Sequence, residues 1–140
     1  MKISARVNNR QALHEVTLET SGKTHTLDIA PRATGFGSSV NGGELLFLAL
    51  ATCYCNDLYR EAARRGLSVS GVEVEVEGDF PVEGQGASNV TYRVKVVASG
   101  DEAALRDLAE HTDRVTEIQN TLRVGTPVPL SRVEVTHAVG

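Results

Sequence analysis

One uninterrupted run of good helix formers, ELLFLALATCYCNDLYREAARR, dominates the middle of this chain and constrains what it can fold into. Asn41 stands before it as an N-cap, and Glu44, three residues later, completes a capping box. Arg60, Arg64 and Arg65 gather near the far end, where the helix dipole favours cations. Gly66 then supplies a residue able to end the helix. At a rise of about 1.5 Å per residue the helix spans about 30 Å. Its first half is apolar on nearly every side, so burial all round is expected.

The flanking segments alternate with the period of strands. Residues 2–7 do so weakly and residues 14–20 clearly, with Val16 and Leu18 on one face and Glu15, Thr17 and Glu19 on the other. A turn at Ser21-Gly22-Lys23 leads into residues 24–29, where Leu27 and Ile29 share a face; the two runs read as a hairpin. Residues 31–43 are rich in Gly and Ser and read as a loop that backbone or a ligand can approach closely. After the helix, Val72, Val74 and Val76 alternate with Glu73, Glu75 and Glu77. Residues 81–88 turn the chain, and residues 90–97 set Tyr92, Val94 and Val96 opposite Thr91, Arg93 and Lys95. The acidic face of one strand can therefore meet the basic face of the next. Ser99 and Glu102 form a second capping box, opening a helix that carries Leu105 and Leu108. A further helical segment covers residues 116–123, and a last strand runs through Val133 and Val135. Strands, long helix, strands, helix and strand make an α+β fold with antiparallel sheets. At 140 residues, one domain over 1–140 is expected.

Composition excludes several function classes. Hydrophobic residues make up 41 % of the chain, enough for a packed core, which Val, Leu, Ile and Ala must build because Trp is absent. The net charge is -4 and no Lys/Arg run exists, so no nucleic-acid partner is expected. The start, MKISARVNNR, lacks the apolar run and cleavage site of a signal peptide. The least polar stretch, residues 45–55, is too short to span a bilayer. No membrane association and a cytoplasmic location are expected. His14, His25, His111 and His137 are scattered without metal-ligand spacing. The glycines of GFGSSVNGG match neither a dinucleotide fingerprint nor a phosphate loop, and no GxSxG motif occurs. Neither a metal nor a cofactor is expected.

Two cysteines remain, Cys53 and Cys55. On a helix they sit about 200° apart around the axis, facing away from each other, so they are poor partners for a disulfide. Cys53, mid-helix in LALATCYC, has two readings. It is a small buried hydrophobe, as free cysteines commonly are, or a reactive thiol. The second reading meets an obstacle: mid-helix, the N-terminal dipole cannot help, and Asp57 one turn on raises the thiol pKa. A reactive thiolate needs positive charge or hydrogen-bond donors from elsewhere in the fold.

The early hairpin, the Gly-rich loop and then NGGELLFLALATC, residues 41–53, resemble the OsmC/Ohr family of thiol-dependent peroxidases. The similarity continues through a helix ending in RRGL, the valine-alternating strand, a second helix and a PVPL turn, and so covers nearly the whole chain. The resemblance implies an intertwined homodimer with long central helices packed together, which accounts for a helix apolar all round. It also implies a chemistry: one cysteine attacks a hydroperoxide and becomes a sulfenic acid, a second resolves it, and an Arg and a Glu orient the first. On these residues the attacking cysteine is Cys53. The resolving position falls in VTEIQNTL on Thr116, with Glu117 in place of a proline, so no resolving thiol is present. The family Glu falls on Gly43, with Glu44 beside it; Arg10 is the nearest match to the Arg, and Arg32 the fallback. Any peroxidase cycle here would then be of the one-cysteine kind, reduced by an external thiol. The rival expectation is a non-catalytic dimer of the same fold that binds a small apolar or thiol-containing ligand at its interface.

Overall fold

The computed structural model describes residues 1–138 of the chain. They form two compact units, the first Met1–Leu48 and the second beginning at Ala49.

The first unit is an antiparallel three-stranded sheet of β1 (Ile3–Arg10), β2 (Leu13–Thr20) and β3 (Lys23–Thr26), in the order β1-β2-β3. The turn before β3 uses left-handed backbone at Ser21 and Gly22, as the Ser-Gly dipeptide requires. β3 stops at Thr26, three residues short of the expected end. Beyond its pairing with residues 17–20 of β2, only the Leu27 N–H continues toward the sheet, reaching the Val16 carbonyl at 3.4 Å. The Gly-rich segment after it is a loop, as expected, closed by an isolated bridge between Pro31 and Ser38. The Asn9 side chain clamps it, accepting from the Gly37 N–H at 3.0 Å and donating to the Gly37 carbonyl at 3.2 Å.

The long helix α1 (Gly42–Arg64) begins at the end of this unit with the reciprocal capping box. The Glu44 N–H donates to Asn41 Oδ1 at 2.8 Å, and the Asn41 N–H donates to Glu44 Oε1 at 3.0 Å. At its far end Gly66 takes a φ of 68° and the chain closes as a Schellman motif: the Leu67 N–H reaches the Ala62 carbonyl at 2.9 Å and the Gly66 N–H reaches Ala63 at 3.2 Å.

The second unit packs the rest of α1 and the helix α2 (Glu102–Val115) on a two-stranded sheet of β4 (Ser68–Asp79) and β5 (Ser88–Ser99). Leu50, Tyr54, Leu58 and Ala62 recur every four residues on α1 and are all buried, which makes one stripe facing inward. Tyr54, Leu58, Ala62 and Leu108 form the core, against which Val72, Val74, Tyr92, Val94 and Val96 pack from the sheet. On the other face Glu75 meets Arg93 at 2.7 Å and Glu73 meets Lys95 at 3.8 Å, the expected acidic-to-basic pairing.

Three expectations are corrected. The N-cap of α2 is Asp101, not Ser99: β5 runs through Ser99, and the Asp101 carboxylate accepts from the Ala104 N–H at 3.1 Å. The last strand through Val133 and Val135 does not form. Their side chains are 68 % and 81 % exposed, and alternation without a partner strand leaves the backbone no ladder to join. The first half of α1 is not buried all round either: Leu48 is exposed, and burial within the chain is confined to one stripe.

Candidate functional site

Cys53 lies on α1, next to the inward stripe and only partly covered. Spacing of four residues along the helix brings Asp57 beneath it, and the thiol Sγ lies 3.6 Å from Asp57 Oδ2 with the thiol as donor. The other oxygen, Oδ1, accepts from Arg60 Nη1 at 2.8 Å. The Asp57 side chain is 11 % exposed, so its carboxylate is held mostly away from water and divided between a cation and a thiol.

The second wall of the site is α3 (Glu117–Arg123), which follows α2 after a break at Thr116. The backbones of Ile118 and Glu117 act on Cys53 as hydrogen-bond donors that pull its pKa down. These are the donors from elsewhere in the fold that a reactive thiolate requires. Burial is nonetheless the largest influence and pushes the thiol pKa up; the Ile118 N–H pulls it down, and the Asp57 charge pushes it up again, so that the net displacement is upward. Burial and the Asp57 charge thus favour the protonated thiol over the thiolate.

A hub at Asp113 fixes where α3 begins. Its carboxylate accepts from the Tyr92 hydroxyl and, at 2.7 Å, from Arg123 Nη2. Its carbonyl accepts from Thr116 Oγ1 and from Arg123 Nη1, both at 3.0 Å. Asn120 Nδ2 adds a bond of 3.0 Å to the Arg114 carbonyl. Sheet, α2 and α3 are thus tied at one residue, and the N–H groups that face Cys53 follow immediately after.

Gln119 completes the surroundings. Its Nε2 donates to the Leu50 carbonyl at 2.9 Å, one turn before Cys53 on α1. The residue is 4 % exposed, and its Oε1 has no hydrogen-bond partner, alone among the buried side-chain polar atoms of the described residues.

The other residues named from sequence have local roles. Thr116 is fully buried, a hydroxyl bonded to Asp113, and directly precedes the two N–H groups at Cys53. Glu44 belongs to the cap of α1. Arg10 is exposed at the end of β1, paired in register with Leu13. Arg32 reaches the Ser38 carbonyl through Nε at 3.4 Å. These three fall in the Met1–Leu48 unit and Cys53 in the other. Cys55 lines a separate cleft with Ala51, Thr52, Asn56, Val72 and Val74, and both cysteines are free. Among the described residues no group of three His, Cys, Asp or Glu side chains could hold a metal ion, and no helix is long and apolar enough to cross a membrane. Neither Gln119 nor the bond from Arg60 to Asp57 was expected from the sequence, in which Arg60 reads as a cation at the helix end. The spacing of Cys53, Asp57 and Arg60 could have exposed the second; nothing local marks the first.

Fold and site together define an α+β protein with a single helix-borne thiol set against backbone donors. The family model for OsmC-like protein matches residues 35–131, and the chain belongs to that family. Solved structures share the fold. An OsmC-like protein from Mycoplasma pneumoniae is 18 % identical with a TM-score of 0.57, over 86 % of this chain and 87 % of that one. An OsmC-like protein of unknown function from Vibrio cholerae is 18 % identical with a TM-score of 0.59, over 86 % and 93 %. An organic hydroperoxide resistance protein OsmC from Legionella pneumophila is 19 % identical with a TM-score of 0.57, over 88 % and 90 %. No curated protein matches the chain.

Proposed function

We propose that this protein is an OsmC-like stress-response protein that reduces organic hydroperoxides with Cys53 as its one working cysteine. The observation that carries the reading is the pair of N–H groups from Glu117 and Ile118 directed at Cys53 Sγ. Such donors stabilise negative charge on sulfur as it forms. The overall step converts thiol and hydroperoxide into sulfenic acid and alcohol. Two equivalents of an external thiol then return Cys53, releasing a disulfide and water. Cys55, on another side of the helix, offers no internal route. A cytoplasmic setting would supply that reductant.

The working unit in this reading is a homodimer. Leu48, Val128, Leu130, Val133 and Val135 are exposed in the single chain, apolar side chains that a second copy would cover. The raised pKa of Cys53 favours the rival reading, a non-catalytic dimer holding a small apolar or thiol-containing ligand. Hydroperoxide consumption with excess dithiol, compared between the wild type and Cys53→Ser, separates the two. The peroxidase reading expects the variant to lose the activity; equal rates overturn it.

A further inference from the structure

The resting thiol poses a mechanistic problem: if Cys53 is protonated, something must take its proton when sulfur reacts. We propose that Asp57, oriented by Arg60, is that acceptor, and passes the proton to the oxygen that leaves. The inference rests on Cys53 being the reacting group.

Three observations carry it. Asp57 Oδ2 is the hydrogen-bond acceptor of the thiol at 3.6 Å, so the proton already points along the path it must travel. Arg60 occupies Oδ1 at 2.8 Å, which fixes the carboxylate plane and leaves Oδ2 to sulfur. The third points to a ligand. Gln119 Oε1 is buried without a partner, on the residue that follows Ile118, whose own N–H faces Sγ. An unmet buried acceptor is destabilising and calls for a donor. A hydroperoxide carries an O–H donor and acceptor oxygens in one small group, and that O–H is the kind of donor an unmet acceptor calls for.

The step balances. Sulfur attacks the terminal oxygen, the S–O bond forms and the O–O bond breaks. The thiol proton moves from Sγ to Asp57 Oδ2, and from there to the departing alkoxide, which leaves as the alcohol. Sulfur is oxidised by two electrons and the hydroperoxide reduced by two; Asp57 ends as it began. The ionisable groups linked to the pair through Arg60 come from two helices. On α1, Arg60 bonds Asp57 and lies 3.8 Å from Glu61; on α2, His111 lies 3.5 Å from Glu61.

The test is the pH profile of Cys53 reactivity in a Cys55→Ser background, with and without Asp57→Asn. Two reagents are used, iodoacetamide and cumene hydroperoxide. A thiol that must ionise first reacts about tenfold faster per pH unit below its pKa, because only the thiolate is nucleophilic. A thiol that hands its proton to a neighbouring carboxylate needs no prior ionisation. Between about pH 6 and 8, where carboxylates as a class are ionised, its rate should change less than about twofold. The proposal expects the level profile with Asp57 present and the tenfold slope in Asp57→Asn. Asp57→Glu, which keeps the carboxylate, should restore the level profile, a rescue that a merely structural role would not give. Equal slopes with and without Asp57 overturn the proposal. A level, Asp57-dependent iodoacetamide profile without consumption of cumene hydroperoxide upholds the proton pair and overturns the peroxidase reading instead.

Discussion

Gln119 reaches across from α3 to donate to the Leu50 carbonyl of α1 at 2.9 Å, and in doing so buries an amide oxygen to which nothing donates. Packing alone does not account for such an arrangement. Leu50 already serves its own helix with that carbonyl, so the bond from Gln119 adds little, while the orphaned Oε1 subtracts.

Gln119→Leu should therefore separate stability from function. The substitution removes one hydrogen bond and one unmet acceptor, effects of opposite sign worth about 1 kcal/mol each, and fills the same volume. Thermal melts should show a stability equal to the wild type or higher by about 1 kcal/mol. Hydroperoxide turnover should fall about tenfold, the equivalent of one lost hydrogen bond to a substrate. A strongly destabilised variant would mean that the Leu50 bond, not a ligand, justifies the residue.

Asp113 makes the second prediction, through pH. Burial raises its carboxyl pKa, but the Tyr92 hydroxyl and the Arg123 guanidinium outweigh this and hold it below the usual carboxylate range. A carboxyl depressed in the folded state stabilises the fold fully above its unfolded value, about 3.9, and loses that contribution as pH falls toward the native value. Asp113→Asn should cost about 1 kcal/mol at neutral pH, a figure already reduced for the partial exposure of the pair. The cost should shrink as the pH is lowered below about 4, which denaturant melts at several pH values would reveal. Because Asp113 also anchors the start of α3, the same variant should slow alkylation of Cys53 at neutral pH.

Features with local causes were legible in the sequence. Asn41 and Glu44 lie one turn apart, and their reciprocal cap formed as expected; so did the pairing of Glu75 with Arg93, which needs only two alternating strands in register. Features that a second element decides were not legible there. Ser99 looked like a cap because Glu102 stands three residues on, but pairing with β4 claimed Ser99 and passed the cap to Asp101. Val133 and Val135 alternate like a strand, yet alternation specifies a face and not a partner. At the site, Cys53 and Asp57 could be placed one turn apart by counting. The N–H groups of Glu117 and Ile118, some sixty residues away along the chain, depend on how Asp113 ties α2 to α3. No property of a single segment encodes that approach.

The central claim is that sulfur chemistry happens at Cys53. Trapping is the most direct test: the protein is exposed to one equivalent of cumene hydroperoxide in the presence of dimedone, which marks sulfenic acids, and the adduct is mapped by peptide mass spectrometry. The account predicts dimedone on Cys53, none on Cys55, and none in Cys53→Ser. An unmodified Cys53, or an adduct confined to Cys55, would contradict it.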